Sequence, residues 1–114
     1  PELKLTFGEQ KRDFIYIDDV VSAYLIILEK IKGFSNFFNE FDVGSGAAIS
    51  IRKFVEKVHQ ITESKTHLAF GSIPYRTGEV MSSNANVEPL IELGWLCKTN
   101  LDKGLKLVMK GYKH

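Results

Sequence analysis

One cysteine, Cys97, is the entire thiol complement of this 114-residue chain. An internal disulfide framework and a multi-Cys zinc site are therefore excluded, and a reducing compartment fits. An excess of one charge is also missing. Lys plus Arg is 15 against 14 for Asp plus Glu, a net charge of +1. An electrostatic nucleic-acid binder would carry a basic stripe or a strongly basic total, so nucleic acid is not an expected partner. No apolar run approaches the ~20 residues that cross a bilayer, so no membrane partner is expected either. No repeat, low-complexity tract or Pro/Gly/Ser linker divides the sequence. Nothing at its start resembles a signal peptide, and the first residue is Pro1 rather than Met. The expectation is a piece of a longer cytoplasmic protein, folded as a single domain over residues 1–114.

What is present is a foldable chain. The hydrophobic residues make up 44%, too many for a disordered tail. Leu3, Leu5 and Phe7 alternate with polar neighbours, which predicts a short strand over residues 3–7. Residues 8–12 form a polar turn, and the aromatic and β-branched run 14–17 predicts a second strand. Asp18 or Asp19 then caps a helix. Val20, Ala23, Tyr24, Ile27, Leu28 and Ile31 follow the helical spacing, and Val21, Leu25 and Ile26 widen the stripe, so burial on more than one side is expected. Gly33 is its stop. Residues 37–43 read as a strand. Ser50 caps a second helix with Ile51, Phe54, Val55, Val58 and Ile61 on one face. A strand follows at 67–70, then a polar loop over 71–83. Asn86 caps a short helix that ends at Gly94. Asn100 caps a last helix with Leu101, Leu105, Val108 and Met109 on one face. Strands alternating with helices give an α/β fold with about four helices.

Several residues invite a chemical reading. Gly44-Ser45-Gly46 lies between a strand and a helix, but Ala48 and Ile49 stand where a dinucleotide loop needs its next glycine, so a strand-ending turn is favoured over a phosphate cradle. Asp13, Asp18 and Asp19 could hold a metal, yet no further carboxylate arrives at calcium-loop spacing and helix capping explains Asp18 and Asp19 better. His59, His67 and His114 are scattered, so no metal site is expected. Cys97 has no activating base nearby and reads as inert. Arg12 and Arg76 sit in separate loops. Two planar guanidinium forks suit a diphosphate, while a solvated surface role is the plainer reading of each. Phe14 and Tyr16 could stack on a base or belong to a core.

The stretch from Leu5 to Val20 (LTFGEQKRDFIYIDDV) resembles the GxxxRDFIxVDDV segment of extended short-chain dehydrogenase/reductases, the NAD-dependent epimerase/dehydratase enzymes that act on nucleotide sugars. Three further segments agree in order and spacing. Phe41-Asp42-Val43-Gly44-Ser45-Gly46 resembles the NxGSG strand end. Pro74-Tyr75-Arg76-Thr77-Gly78-Glu79-Val80-Met81 resembles the RxGE loop. Leu93-Gly94-Trp95 with Leu101-Asp102-Lys103-Gly104-Leu105 resembles the LGW…LxxGL signature. Each is weak alone, and the four in order cover nearly the whole chain.

The resemblance implies roles. Arg12 and Arg76 would hold the diphosphate of a nucleotide sugar, Glu79 would accept from the ribose hydroxyls, Leu5, Phe7 and Phe14 would lie near the base, and Ile51 would line the same pocket. It also implies a Rossmann-type parent that binds NAD or NADP, forms a homo-oligomer and acts as an epimerase, dehydratase or ketosugar reductase, with the wording around Arg76 leaning toward deoxysugar or surface-polysaccharide precursors. The glycine-rich cofactor loop and the catalytic Tyr-x-x-x-Lys of that family are not in this sequence: no Tyr here has Lys four residues later. The chain therefore resembles the C-terminal, substrate-binding third of such an enzyme, expected to bind no cofactor, to hold no catalytic residue and to be inactive alone. The alternatives are a free-standing nucleotide-sugar binding module without catalysis and a structural, self-associating domain.

Overall fold

The computed structural model describes residues 1–35 and 38–112. In chain order the elements are β1 (Glu2–Leu5), β2 (Lys11–Asp13), α1 (Ile17–Lys30) with a 3-10 turn (Ile31–Gly33), β3 (Ala48–Ser50), α2 (Ile51–Ile61), β4 (His67–Phe70), α3 (Glu88–Glu92) and α4 (Leu101–Gly111). Two small sheets carry the strands. β1 runs parallel to β4, with Glu2 opposite His67 and Leu5 opposite Phe70. β2 runs antiparallel to β3, with Arg12 opposite Ile49. The far side of β2 is bordered by the loop after β4: the Lys11 N–H donates to the Met81 carbonyl at 2.8 Å and the Ser83 N–H to the Lys11 carbonyl at 3.2 Å. That pairing draws the Arg76 loop alongside the Arg12 strand.

The α/β order expected from the sequence holds, and so do the caps of α2 and α4. Ser50 Oγ accepts from the Lys53 N–H at 3.1 Å, and Asn100 Oδ1 from the Lys103 N–H at 2.8 Å. Other expectations need correction. The strand predicted at 14–17 lies earlier, on Lys11–Asp13, because only there does a partner strand offer ladder hydrogen bonds; Ile17 already belongs to α1. Neither Asp18 nor Asp19 is the N-cap. Tyr16 occupies that position without a side-chain cap, and both acids sit in the first turn, where a helix N-terminus favours negative charge. Val87, not Asn86, caps α3, although Asn86 Oδ1 still accepts from the Glu88 N–H at 3.3 Å. Of the strand predicted at 37–43, Phe37 lies outside the described residues and 38–43 form no strand, since none of the described strands pairs with them.

The core is small: Ala23, Leu90 and Trp95 are fully buried, with Ile26, Ile27, Phe41, Val43 and Cys97 among the side chains packed around them. It joins α1 to α3 and to the segment that follows. The expected burial of α1 on more than one side is not seen. Its other face, carrying Ile17, Val21, Tyr24, Leu25 and Leu28, is exposed, with Leu28 at 64%. Apolar residues all round this helix fill two faces, and the described elements cover one.

Asp19 holds the junction. It is buried, and its Oδ1 accepts from the Lys98 N–H and its Oδ2 from the Thr99 N–H, both at 3.0 Å. The Cys97 thiol donates to Oδ2 at 3.4 Å, and Trp95 Nε1 donates to the Asp19 carbonyl at 3.1 Å and to Ser22 Oγ at 2.9 Å. Burial alone would raise the Asp19 carboxyl; the two backbone N–H groups and the thiol outweigh it and hold the pKa below its ordinary value. The same contact, after burial, pushes the Cys97 thiol up, which agrees with an inert cysteine.

Candidate functional site

The strand–loop pairing at Lys11 brings three of the proposed site residues together. Glu79 is the centre. Its Oε2 lies 3.2 Å from Arg76 Nη2 and 3.7 Å from Arg12 Nη2, and its Oε1 accepts from Gln10 Nε2 at 3.4 Å. Arg12 Nη1 also donates to the Lys11 carbonyl at 2.7 Å, which fixes one arm of its fork. Burial is graded across the group: the Glu79 side chain is 11% exposed, Arg12 29% and Arg76 85%. Two guanidinium groups thus share one carboxylate oxygen. The three groups carry a net charge of +1, and one of them reaches into solvent.

The local sequence explains the placement. In extended chain, residues i and i+2 share a face, so Gln10 and Arg12 point the same way. Gly78, at φ +77°, lets the loop turn between Arg76 and Glu79, and the Glu79 N–H donates back to the Arg76 carbonyl at 3.1 Å. Tyr75 ties the loop down: its hydroxyl accepts from the Glu9 N–H at 2.9 Å and donates to Glu9 Oε1 at 3.2 Å.

The remaining predicted site residues are distributed around this centre. Ile51 is anchored to it, its N–H donating to the Gln10 carbonyl at 2.8 Å. The Leu5 carbonyl accepts from the N–H groups of Ser72 and Ile73 at the start of the same loop. Phe7 is 55% exposed and lines an open cleft of about 590 Å³ with Gly8, Glu9, Ser50 and Arg52. Phe14 lies elsewhere. It stacks on Phe54 of α2 at 3.9 Å and faces a cavity of about 170 Å³ whose other walls come from α4 and residues 99–101. Gln10, Tyr75 and Arg52 were not singled out from the sequence. The i, i+2 relation of Gln10 to Arg12 was the available signal for the first.

Gly44-Ser45-Gly46 forms a bend that follows no strand among the described residues, so the strand-ending part of the expectation is corrected. Asp13 Oδ1 accepts from the Ser45 N–H at 2.8 Å and the Ser45 hydroxyl at 2.7 Å, and Oδ2 accepts from the Gly46 N–H at 2.9 Å. A Cβ on Gly44 would come within 2.7 Å of the same carboxylate. An internal anion fills the donors that a phosphate would need, so this turn does not fit the pyrophosphate of a dinucleotide. Among the described residues no three metal-ligating side chains come together, and no helix is long and apolar enough to cross a membrane.

Residues 1–44 match the NAD dependent epimerase/dehydratase family. CDP-abequose synthase of Salmonella muenchen is 39% identical over 108 residues, which is 95% of this chain and 36% of that protein. The fold agrees along nearly the whole chain: UDP-glucose 4-epimerase of Thermotoga maritima, solved with UDP-glucose, superposes with a TM-score of 0.77 at 30% identity over 96% of this chain and 34% of its own. These matches support a resemblance to the NAD-dependent epimerase/dehydratase family. A GDP-mannoheptose C4 reductase of Campylobacter jejuni, with NADP bound, shares the fold at a TM-score of 0.82 and 22% identity. The chain spans about a third of the length of the curated relatives it matches.

Proposed function

We propose that this chain is the nucleotide-sugar-binding part of an NAD(P)-dependent epimerase, dehydratase or reductase, a C-terminal domain that completes a substrate pocket while a Rossmann domain elsewhere in the enzyme supplies cofactor and hydride chemistry. The observation that carries the reading is the meeting of Arg12 and Arg76, from two separate segments, at Glu79. An incoming diphosphate competes with Glu79 for both forks. Arg76, the exposed one, exchanges its carboxylate for phosphate oxygens, and Glu79, released from it, accepts from the ribose diol. Until then Glu79 holds the two forks in position. Gln10 steadies the carboxylate throughout. Leu5, Phe7 and Ile51 lie next to this group and suit the base; Phe14, stacked on Phe54, supports α2.

The substrate class is a nucleoside diphosphate sugar, and relatives named as a CDP-abequose synthase and a dTDP-4-dehydro-6-deoxyglucose reductase favour deoxysugar precursors of surface polysaccharide made in the cytoplasm. The glycine turn is closed by Asp13, so cofactor binding and turnover are assigned to the rest of the enzyme. The apolar face of α1 favours a second component of the same reading, burial against another domain or another copy in a homo-oligomer. Calorimetric titration with a nucleoside diphosphate tests the proposal. Arg76→Ala should weaken binding roughly ten- to a hundredfold, as loss of a charge-assisted contact does. A change below about twofold, the mark of a solvated arginine, would overturn it.

A further inference from the structure

The cleft beside the arginine pair has a wall that no motif marks. Arg52, in the first turn of α2, lays its guanidinium over the Phe70 ring at 4.3 Å. Stacking of that kind fixes the plane of the fork and leaves its N–H edges free. The partner of those edges is Glu56, one helical turn on, at 3.7 Å, too long for a hydrogen bond. The position of Arg52 is itself constrained. Its N–H donates to the Gly8 carbonyl at 2.9 Å, and a Cβ on Gly8 would come within 2.9 Å of that nitrogen, so the backbones of 8 and 52 meet only because residue 8 is glycine. Another wall is Phe7, a largely exposed residue whose ring lies against Gly71, where a Cβ would lie 2.5 Å from the ring edge. An exposed aromatic residue and an oriented guanidinium, ion-paired to Glu56 through Nε alone, therefore bound one open cleft. The cleft is tied to the arginine pair through Glu9, which lines it and is bonded to Tyr75, the neighbour of Arg76. From residue 7 to residue 12 the chain spans at most about 17 Å, a length that a nucleoside diphosphate covers.

We infer that Arg52 is a specificity-determining residue that donates to a carbonyl oxygen of the nucleotide base lying on Phe7, and so favours cytosine, uracil or guanine over adenine, which has no carbonyl. This rests on the proposed diphosphate site and adds the reading of the base. Arginine is a donor only, so it rewards carbonyl acceptors, and the aromatic ring holds any base by its face.

The test is titration of the 114-residue chain and its Arg52→Ala, Arg52→Lys and Arg76→Ala variants with CDP, UDP, GDP, ADP and inorganic pyrophosphate, with circular dichroism to confirm that each variant folds. The wild type should bind the three carbonyl-bearing nucleotides about tenfold more tightly than ADP, in line with one charge-assisted hydrogen bond. Arg52→Ala should erase that preference and leave pyrophosphate binding unchanged, and Arg52→Lys should restore part of it. Arg76→Ala should weaken all five ligands. Equal binding of all four nucleotides by the wild type, or a preference that survives Arg52→Ala, overturns the inference while the diphosphate site stands. Failure of the wild type to bind either pyrophosphate or any nucleotide overturns both.

Discussion

Two carboxylates, Asp19 and Glu79, organise two regions of the molecule, and they do so with different donors. Asp19 is buried and takes backbone N–H groups, which cannot leave without unfolding the segment that bears them. Glu79 takes guanidinium groups on long side chains, one of them largely in solvent, which can leave without moving the backbone. Donors fixed in the main chain make a joint; donors on flexible arms suit the receptor proposed above. A carboxylate's role is thus read from what donates to it more than from its own burial.

The largest expected effect lies at the joint. Asp19→Ala leaves two part-buried backbone N–H groups without their acceptor, and at ~1–3 kcal/mol each the loss should be about 3 kcal/mol. In a domain whose whole stability is ~5–15 kcal/mol, urea unfolding should show it plainly. A loss under 1 kcal/mol would mean that Asp19 does not hold the junction. Acid should act through the same group. Its folded-state pKa lies below its unfolded one, so the stabilisation is complete above the ordinary carboxylate value near 4 and disappears as pH falls through the depressed value. Melting curves from pH 7 down to pH 2 should drop over that window, and the drop should be shallower in Asp19→Asn.

Effects at the receptor should appear in binding and leave stability nearly alone. Arg76→Ala should change the unfolding free energy by no more than about 0.5 kcal/mol, the range of ordinary surface substitutions, even as nucleotide affinity falls. Glu79→Ala gives the sharper contrast. Removing the competing carboxylate should strengthen pyrophosphate binding a few-fold, while a ribose-bearing nucleotide, which loses its diol partner, should gain less or weaken. If both ligands respond alike, Glu79 does not touch the ribose. The smallest effect belongs to Lys57, whose 2.7 Å contact with Asp102 joins α2 to α4 at the exposed surface. Lys57→Ala should shift the melting temperature barely at all, and the shift should vanish in 1 M salt, where charges are screened within ~3 Å.

The sequence made the receptor more legible than the joint. Arg12, Arg76 and Glu79 stand in segments whose order resembles a known family, and the structure does bring them to one point. The caps Ser50 and Asn100 were legible because a cap needs only its own next turn. The misplaced strand at 14–17 shows the limit of local reading: Phe14, Ile15 and Ile17 have strand-forming side chains, yet pairing, which is nonlocal, goes to Lys11–Asp13. Asp18 and Asp19 look alike in sequence, and only the return of residues 97–99 makes one of them the joint. Gln10 and Arg52 carry no motif, and their placement depends on contacts across more than forty residues.

Trp95 is the single tryptophan and is 1% exposed, its indole N–H held by the Asp19 carbonyl and Ser22. The protein therefore carries a built-in optical reporter whose emission follows the joint. Its fluorescence should shift to the red when α1 parts from residues 95–99. Neither the cleft nor the arginine pair includes it, so nucleotide binding should leave the spectrum still. Unfolding and ligand binding can then be read in one cuvette as separate signals, without a label.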